Sequence, residues 1–229
     1  MSSSRLPGKV LRPILGRPML SLHLERLRRM RRVDQLVVAT SVDVSDDAIA
    51  ALCAAESVAC LRGSLTDVLD RFHQAALAYR PDHVVRLTAD CPLADPELID
   101  RIIATHLEGD HDFTSNTLTR TYPKGLDASA FRRSLLEEAW REARTPEERE
   151  HVTLYMKANA ARLRIGEVRD RQDRSQLRWT VDEAADFEFV SAVFERLYAA
   201  NPRFSTEDIH QLLAREPELA AINAGVGQP

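Results

Sequence analysis

The sequence predicts an α/β fold, a mostly parallel sheet flanked by helices. Three observations predict it. Short apolar runs of strand length alternate with longer segments whose apolar residues recur at helical spacing. The connections between them are short and polar, the pattern of strand–helix–strand units. The 229 residues are 44% hydrophobic, enough to bury a sizeable core. There is no repeat, low-complexity tract or Gly/Ser linker. The chain therefore reads as one domain over 1–229, with a substrate-side lobe expected around 112–170.

The elements follow in order. Residues 19–30 set Leu20, Leu24 and Leu27 on one helical face, and 36–40 form a short apolar run ending in polar residues, a buried strand. Residues 46–55 read as a helix and 58–61 as a strand. Helix 66–79 carries Asp67 near its start, where the macrodipole favours an acid. Strand 83–88 precedes helix 96–106, which spaces Leu98, Ile99, Ile102 and Ile103 along one face. Asp95 before Pro96 suits the N-cap and first helical position of that helix. Beyond residue 110 the rhythm changes: strands at 112–116 and 126–131, helices at 133–144 and 146–159, then strands at 162–168 and 178–181. Helix 184–200 is amphipathic through Val190, Val193, Phe194 and Leu197. Ser205, with Asp208 three residues on, caps a last helix, and the tail 225–229 is expected to fray.

Composition excludes several classes. The net charge of −4 disfavours a nucleic-acid binder. No apolar run is long enough to span a bilayer, and the N-terminus has no apolar core of a secretory signal. Cys53, Cys60 and Cys91 are odd in number and lack CxxC spacing, which fits a reducing cytoplasm. Among 31 basic residues the only lysines are Lys9, Lys124 and Lys157. Against that arginine-rich background Lys9 and Lys124 draw interest, because an ammonium does what a planar guanidinium does not.

Five segments could carry chemistry. The opening loop, with Ser3, Ser4, Arg5, Gly8 and Lys9, has the hydroxyls, cations and turn of a phosphate cradle, although Walker spacing is absent. A plain disordered terminus is the other reading. Asp90 ends the strand that empties into the cleft, and a carboxylate there suits a hard divalent metal. Asp95 already accounts for the helix cap, so Asp90 has no structural duty. Asp182 again follows an apolar run and precedes a helix, as a metal ligand or as an ordinary N-cap. Together Asp90 and Asp182 would make a two-carboxylate magnesium site. The stretch 116–127 gathers Asn116, Tyr122 and Lys124 beside the cleft, or is a solvated turn built on Pro-Lys-Gly. His151 lies on a helix without HExxH spacing, so zinc is not indicated.

These segments, in this order, resemble the cytidylyltransferase-like family, closest to the spore-coat polysaccharide biosynthesis F-type proteins. Those are relatives of acylneuraminate and 3-deoxy-manno-octulosonate cytidylyltransferases. The resemblance is carried by Ser-Ser-Arg-Leu-Pro-Gly-Lys at 3–9, Gly63-Ser64 with 67–72, 87–93, Ser115-Asn116, 122–127, 150–153, and 180–182 with Asp186-Phe187. It implies a nucleotide-diphosphosugar transferase (GT-A-like) fold. It implies that Arg5 and Lys9 bind a nucleoside triphosphate within the loop of Ser3, Ser4 and Gly8, and that Asp90 and Asp182 share Mg²⁺. Asn116, Tyr122, Lys124 and His151 are then expected on the sugar side. The resemblance also implies a hydrophobic first strand ahead of the opening loop, where this sequence has none. A late start codon is the expected cause, and free edges on two neighbouring strands the expected consequence. Ser129 stands where the family carries an acid.

The function so implied is a Mg²⁺-dependent, CTP-using nucleotidyltransferase that activates a sugar or sugar acid for surface polysaccharide. The sequence leaves two alternatives: a glycosyltransferase taking a nucleotide-sugar on the same fold, and a non-catalytic nucleotide-binding protein. A homodimer is implied by the relatives alone.

Overall fold

The computed structural model describes residues 5–226. The expectations for Ser3, Ser4 and the last residues of the tail, 227–229, lie outside them. A 3₁₀ turn at Lys9–Leu11 leads into a small antiparallel hairpin, β1 (Pro13–Ile14) and β2 (Arg17–Pro18). There follow α1 (Met19–Leu27), β3 (Val37–Ser41), α2 (Asp47–Ala55), β4 (Ala59–Gly63), α3 (Val68–Tyr79), β5 (His83–Arg86) and α4 (Pro96–Glu108). The second half adds β6 (Phe113–Ser115), β7 (Ser129–Arg132), α5 (Arg133–Glu142), α6 (Pro146–Glu150), α7 (Leu154–Ala158), β8 (Ile165–Glu167), α8 (Ala184–Leu197), α9 (Thr206–Arg215) and α10 (Glu218–Ala221).

The caps explain several boundaries. Asp67 accepts from the Asp70 backbone N–H at 2.8 Å and opens α3. Asp95 accepts from Glu97 and Leu98 at 2.8 and 3.1 Å, with Pro96 in the first turn of α4. Ser205 and Asp208 form the expected reciprocal capping box of α9. Each cap satisfies backbone donors that a helix start leaves unpaired.

β3 and β4 pair in parallel, and β5, β7, β6 and β8 form a second sheet in that order. In it β5, β6 and β8 share one direction and β7 alone runs against them. Helices cover both faces of this sheet. Phe113 and Phe131, opposite each other in register, pack with Leu135 and Leu136 of α5 and Leu69 of α3. Ala130, one position on and therefore on the other face, joins Ile99, Ile102 and Ile103 of α4. The same cluster carries Val190, Val193 and Phe194 of α8. α1 and α2 meet through Leu20, Leu24, Ile49 and Cys53. Among the described residues β3 pairs with β4 and β5 with β7, and no strand hydrogen-bonds the two sheets to each other. Among the described residues no helix is long and apolar enough to cross a membrane.

Two of the expected elements do not form as the sequence pattern suggests, and the β1–β2 hairpin and α10 are not expected from it. No strand forms at 178–181: Arg178 makes an isolated bridge to Lys124, and the residues beyond it bond to two different loops rather than to one ladder. The expected helix 146–159 is broken. His151 leaves helical geometry (φ −102°, ψ 73°), and Val152 turns fully into the core beside Met156. Burial of one β-branched side chain there outweighs helix continuity.

Candidate active site

Three loops meet because backbone bonds staple them. The Val181 N–H donates to Asp90 O at 2.7 Å, and the Thr180 hydroxyl donates to the same oxygen at 3.2 Å. The Trp179 N–H donates to Lys124 O at 2.6 Å, and the Lys124 N–H to Leu177 O at 2.9 Å. The loop after β5, the segment before α8 and the loop around Gly125 are thereby held side by side.

Lys9 enters this junction from the 3₁₀ turn that Gly8 caps. Its Nζ donates to Asp182 Oδ1 at 3.0 Å, to Asp90 Oδ2 at 3.3 Å and to the Val181 carbonyl at 2.6 Å. The two carboxylates predicted from strand ends therefore converge on one ammonium, although they are 92 positions apart in the chain. Arg5 reaches the rim, 3.4 Å from Asp182 and 3.9 Å from Glu183.

The structure sets aside the N-cap reading of Asp182. The N-cap of α8 is Glu183, in a capping box with Asp186. Asp186 Oδ2 also accepts the Asp182 backbone N–H at 3.0 Å. Capping is thus done by the two following acids, and the Asp182 side chain is left to face Lys9. Burial works to raise the Asp182 carboxyl, but hydrogen bonding and charge from Lys9, with Arg178 adding to them, hold it below the usual range.

Sequence reasoning missed Arg178. Its Nη2 lies 2.9 Å from both Asp182 Oδ2 and Asp186 Oδ2, and its Nε 2.8 Å from Asp186 Oδ1. The available signal was the i,i+4 spacing of Arg178 and Asp182, which was masked by the expected strand.

Among the described residues, none of the four expected on the sugar side bonds to Lys9, Asp90 or Asp182 through its side chain, although the Lys124 backbone helps to staple the junction. Asn116 is 1% exposed, and its amide is spent on backbone, donating to Leu126 O at 2.8 Å and accepting from Ala128 N at 3.0 Å. It braces the turn before β7. Tyr122 is 4% exposed in the main core, with its hydroxyl on Arg101 Nη2 at 2.5 Å. Lys124 rims a cavity of about 560 Å³ lined by Leu177, Trp179, Phe189 and Leu213, and none of Lys9, Asp90 and Asp182 lines it. His151 is exposed at the break between α6 and α7. Among the described residues no group of three or more His, Cys, Asp or Glu could hold a metal, so a cation here would rest on the Asp90–Asp182 pair.

Comparison with known proteins identifies the family. The family model for cytidylyltransferases matches residues 1–209. The chain belongs to the cytidylyltransferase family. It is accordingly a nucleotidyltransferase. A relative of similar length is the spore coat polysaccharide biosynthesis protein SpsF of Bacillus subtilis, 34% identical over 227 residues, covering 96% of this chain and 93% of that one. The solved structure of a cytidylyltransferase from Leptospira borgpetersenii superposes with a TM-score of 0.91 at 32% identity, covering 96% of this chain and 92% of that one. A 3-deoxy-manno-octulosonate cytidylyltransferase of Anaeromyxobacter dehalogenans is 38% identical over 109 residues, 47% of this chain and 44% of its own.

Proposed function

We propose that this cytidylyltransferase transfers the cytidylyl group of CTP to a sugar acid, with magnesium held by Asp90 and Asp182, to supply polysaccharide synthesis. The observation that carries the reading is the position of Lys9 between the two aspartates. Two carboxylate oxygens converge there on a site that already stabilises a cation. Such a donor set suits a hard divalent ion. Bound there, the ion would supply neutralisation of triphosphate charge.

The chain's own part is binding and alignment. Arg5 and Lys9 are the cations at hand for the phosphates, and Lys9 exchanges its carboxylate partners for phosphate oxygens when nucleotide arrives. The acceptor hydroxyl oxygen forms a bond to the α-phosphorus, and the bond to the bridging oxygen breaks. Pyrophosphate leaves with that electron pair, and the hydroxyl proton passes to solvent. Such transfer needs positioning and charge neutralisation rather than a covalent nucleophile. The acid acceptor is suggested by the partial likeness to the 3-deoxy-manno-octulosonate enzyme, and the pathway by the full-length likeness to SpsF.

Pyrophosphate release from CTP, with 3-deoxy-manno-octulosonate and related sugar acids as acceptors, tests the reading. The expected result is magnesium-dependent release that D90N and D182N each cut by roughly a hundredfold or more. Unchanged release in D90N, or sugar transfer from a nucleotide-sugar without consumption of CTP, would overturn it.

A further inference from the structure

Beside the Lys9 junction the sheet presents a second group of charges that the proposed reaction has not used. Register puts Arg86 of β5 opposite Ser129 of β7, and Ser129 opposite Ser115 of β6. Directly opposed residues share a face. The row is continuous, with Ser129 Oγ donating to Ser115 Oγ at 2.9 Å. Ser115 Oγ in turn lies 2.9 Å from Thr117 Oγ1, which accepts from Lys157 Nζ at 2.9 Å. A guanidinium therefore stands at one end of a line of hydroxyls and an ammonium at the other.

Neither cation is paired. Among the described residues the Arg86 side chain makes no hydrogen bond and no ion pair, and its Nε is buried without a partner. Among the described residues the Lys157 ammonium meets the Thr117 hydroxyl and no carboxylate. The nearby acid, Asp127, is already taken by Arg120 through two hydrogen bonds of 2.6 and 2.7 Å. Arg86 feels the field of Asp90 first and that of Asp127 more weakly, and Lys157 feels those of Asp127, Arg86 and Arg120. Three cations thus surround one carboxylate. Half-buried like charges without a counter-ion are costly and are kept where an anion arrives to pair them. Arg86 ends the strand that runs into the Asp90 loop, so that anion would sit next to the reacting phosphate.

We infer that Arg86 and Lys157, aligned by the Ser129–Ser115–Thr117 hydroxyl row, form the subsite for an oxyanion, carboxylate or phosphate, on the acceptor sugar. The inference rests on the cytidylyltransferase reading for the identity of the molecule as the acceptor. The hydroxyl hydrogens are spent within the row and on the Ala128 carbonyl. The row is accordingly a spacer, and the two cations do the recognition. Arg86 offers a planar fork to two oxygens, and Lys157 a point charge.

Thermal-shift titrations of the full chain test this, using 3-deoxy-manno-octulosonate, mannose 1-phosphate and inorganic phosphate, with mannose as the neutral control. CTP with magnesium is titrated separately, so that failure of the nucleotide reading is seen on its own. The expected result is saturable stabilisation by an anionic probe and none by mannose. R86Q and K157Q should each weaken it by roughly tenfold or more and leave the CTP titration in place. A response to the sugar acid identifies a carboxylate source, and a response to the sugar phosphate identifies a phosphate source. S129D sets an acid between the two cations and should abolish the anion response without removing either of them. Anion titrations unchanged in R86Q, K157Q and S129D, equal stabilisation by mannose, or no saturable response to any anionic probe would overturn the inference.

Discussion

Arg178 holds Asp186 with two nitrogens and Asp182 with one of the same two, so that one guanidinium ties the start of α8 to the carboxylate that faces Lys9. Asp186 is fully buried and Arg178 nearly so. Burial works to raise the Asp186 carboxyl, and the Arg178 hydrogen bonds lead the effects that hold it low. Removing one partner of such a pair leaves a buried charge uncompensated, at a cost of about 3–5 kcal/mol. R178M is therefore expected to lower the urea midpoint strongly. R178K, which keeps the charge and loses the fork, should fall between. Because Asp182 loses its support, kcat should drop more than KM changes in the R178K protein. A fall in stability with kcat intact would confine Arg178 to folding.

Lys9 makes a different prediction. Its ammonium competes with any divalent ion for the same two oxygens. K9M removes the competitor and leaves Asp90 and Asp182 facing each other without it. Metal binding in the absence of nucleotide should tighten, while stabilisation by CTP should weaken. Calorimetric titration of manganese and of CTP into K9M and the parent chain separates the two effects. Weaker metal binding in K9M would show that Lys9 orders the carboxylates rather than occupying the cation's place.

The His106 ring is buried between the sheet and α4, with Nε2 3.0 Å from His83 Nδ1 and Nδ1 3.1 Å from the Thr114 hydroxyl. Desolvation, with the neighbouring His83, Arg132 and His111, lowers its pKa from 6.5 to about 4, against a weaker opposite pull from Asp112. The unfolded chain therefore takes up a proton near pH 6.5 that the folded chain refuses until about pH 4. Stability is fully present above that window and is lost as pH falls through it, by on the order of 2–3 kcal/mol. The buried His23, also lowered to about 4 mainly by desolvation, adds a slope of the same sign. Urea unfolding between pH 4 and 7 should show this decline, and H106N should flatten part of it. An unchanged slope in H106N would remove His106 from the account.

How much of this was legible in the sequence depends on range. Asp67, Asp95 and Ser205 were readable as caps because their partners lie within three residues. Asp90 and Asp182 were readable because a carboxylate after an apolar run has few structural duties. The partners of Asn116 and Tyr122 were not legible because a polar residue in a loop looks the same whether it faces a ligand or closes the loop. Only the structure shows both ends of the Asn116 amide bonded to backbone. Arg86 and Lys157 escaped notice for the opposite reason. Their meeting requires the register of three strands and a helix from another part of the chain, which no local spacing encodes.

Two glycines give the last prediction, because they share a backbone requirement and differ in surroundings. Gly16, in the β1–β2 turn, has φ +74°, and a Cβ there would meet nothing within 4 Å. G16A pays only for the left-handed conformation, about 1–2 kcal/mol. Gly125 has φ +114°, and its Cβ would lie 2.4 Å from the Thr180 N and 2.5 Å from the Trp179 carbonyl carbon. Those are backbone atoms of the segment that sets Asp182 opposite Lys9, so no side-chain rotation relieves the clash. Relief would require the Lys124–Trp179 hydrogen bond to open and the 179–182 segment to move away from Asp90. G125A should therefore cost more stability than G16A, and it should also lower pyrophosphate release under conditions where the protein remains folded. Equal losses of stability with unchanged turnover would mean that the 179–182 segment can shift without disturbing the carboxylate pair, and that the close approach at Gly125 serves packing alone.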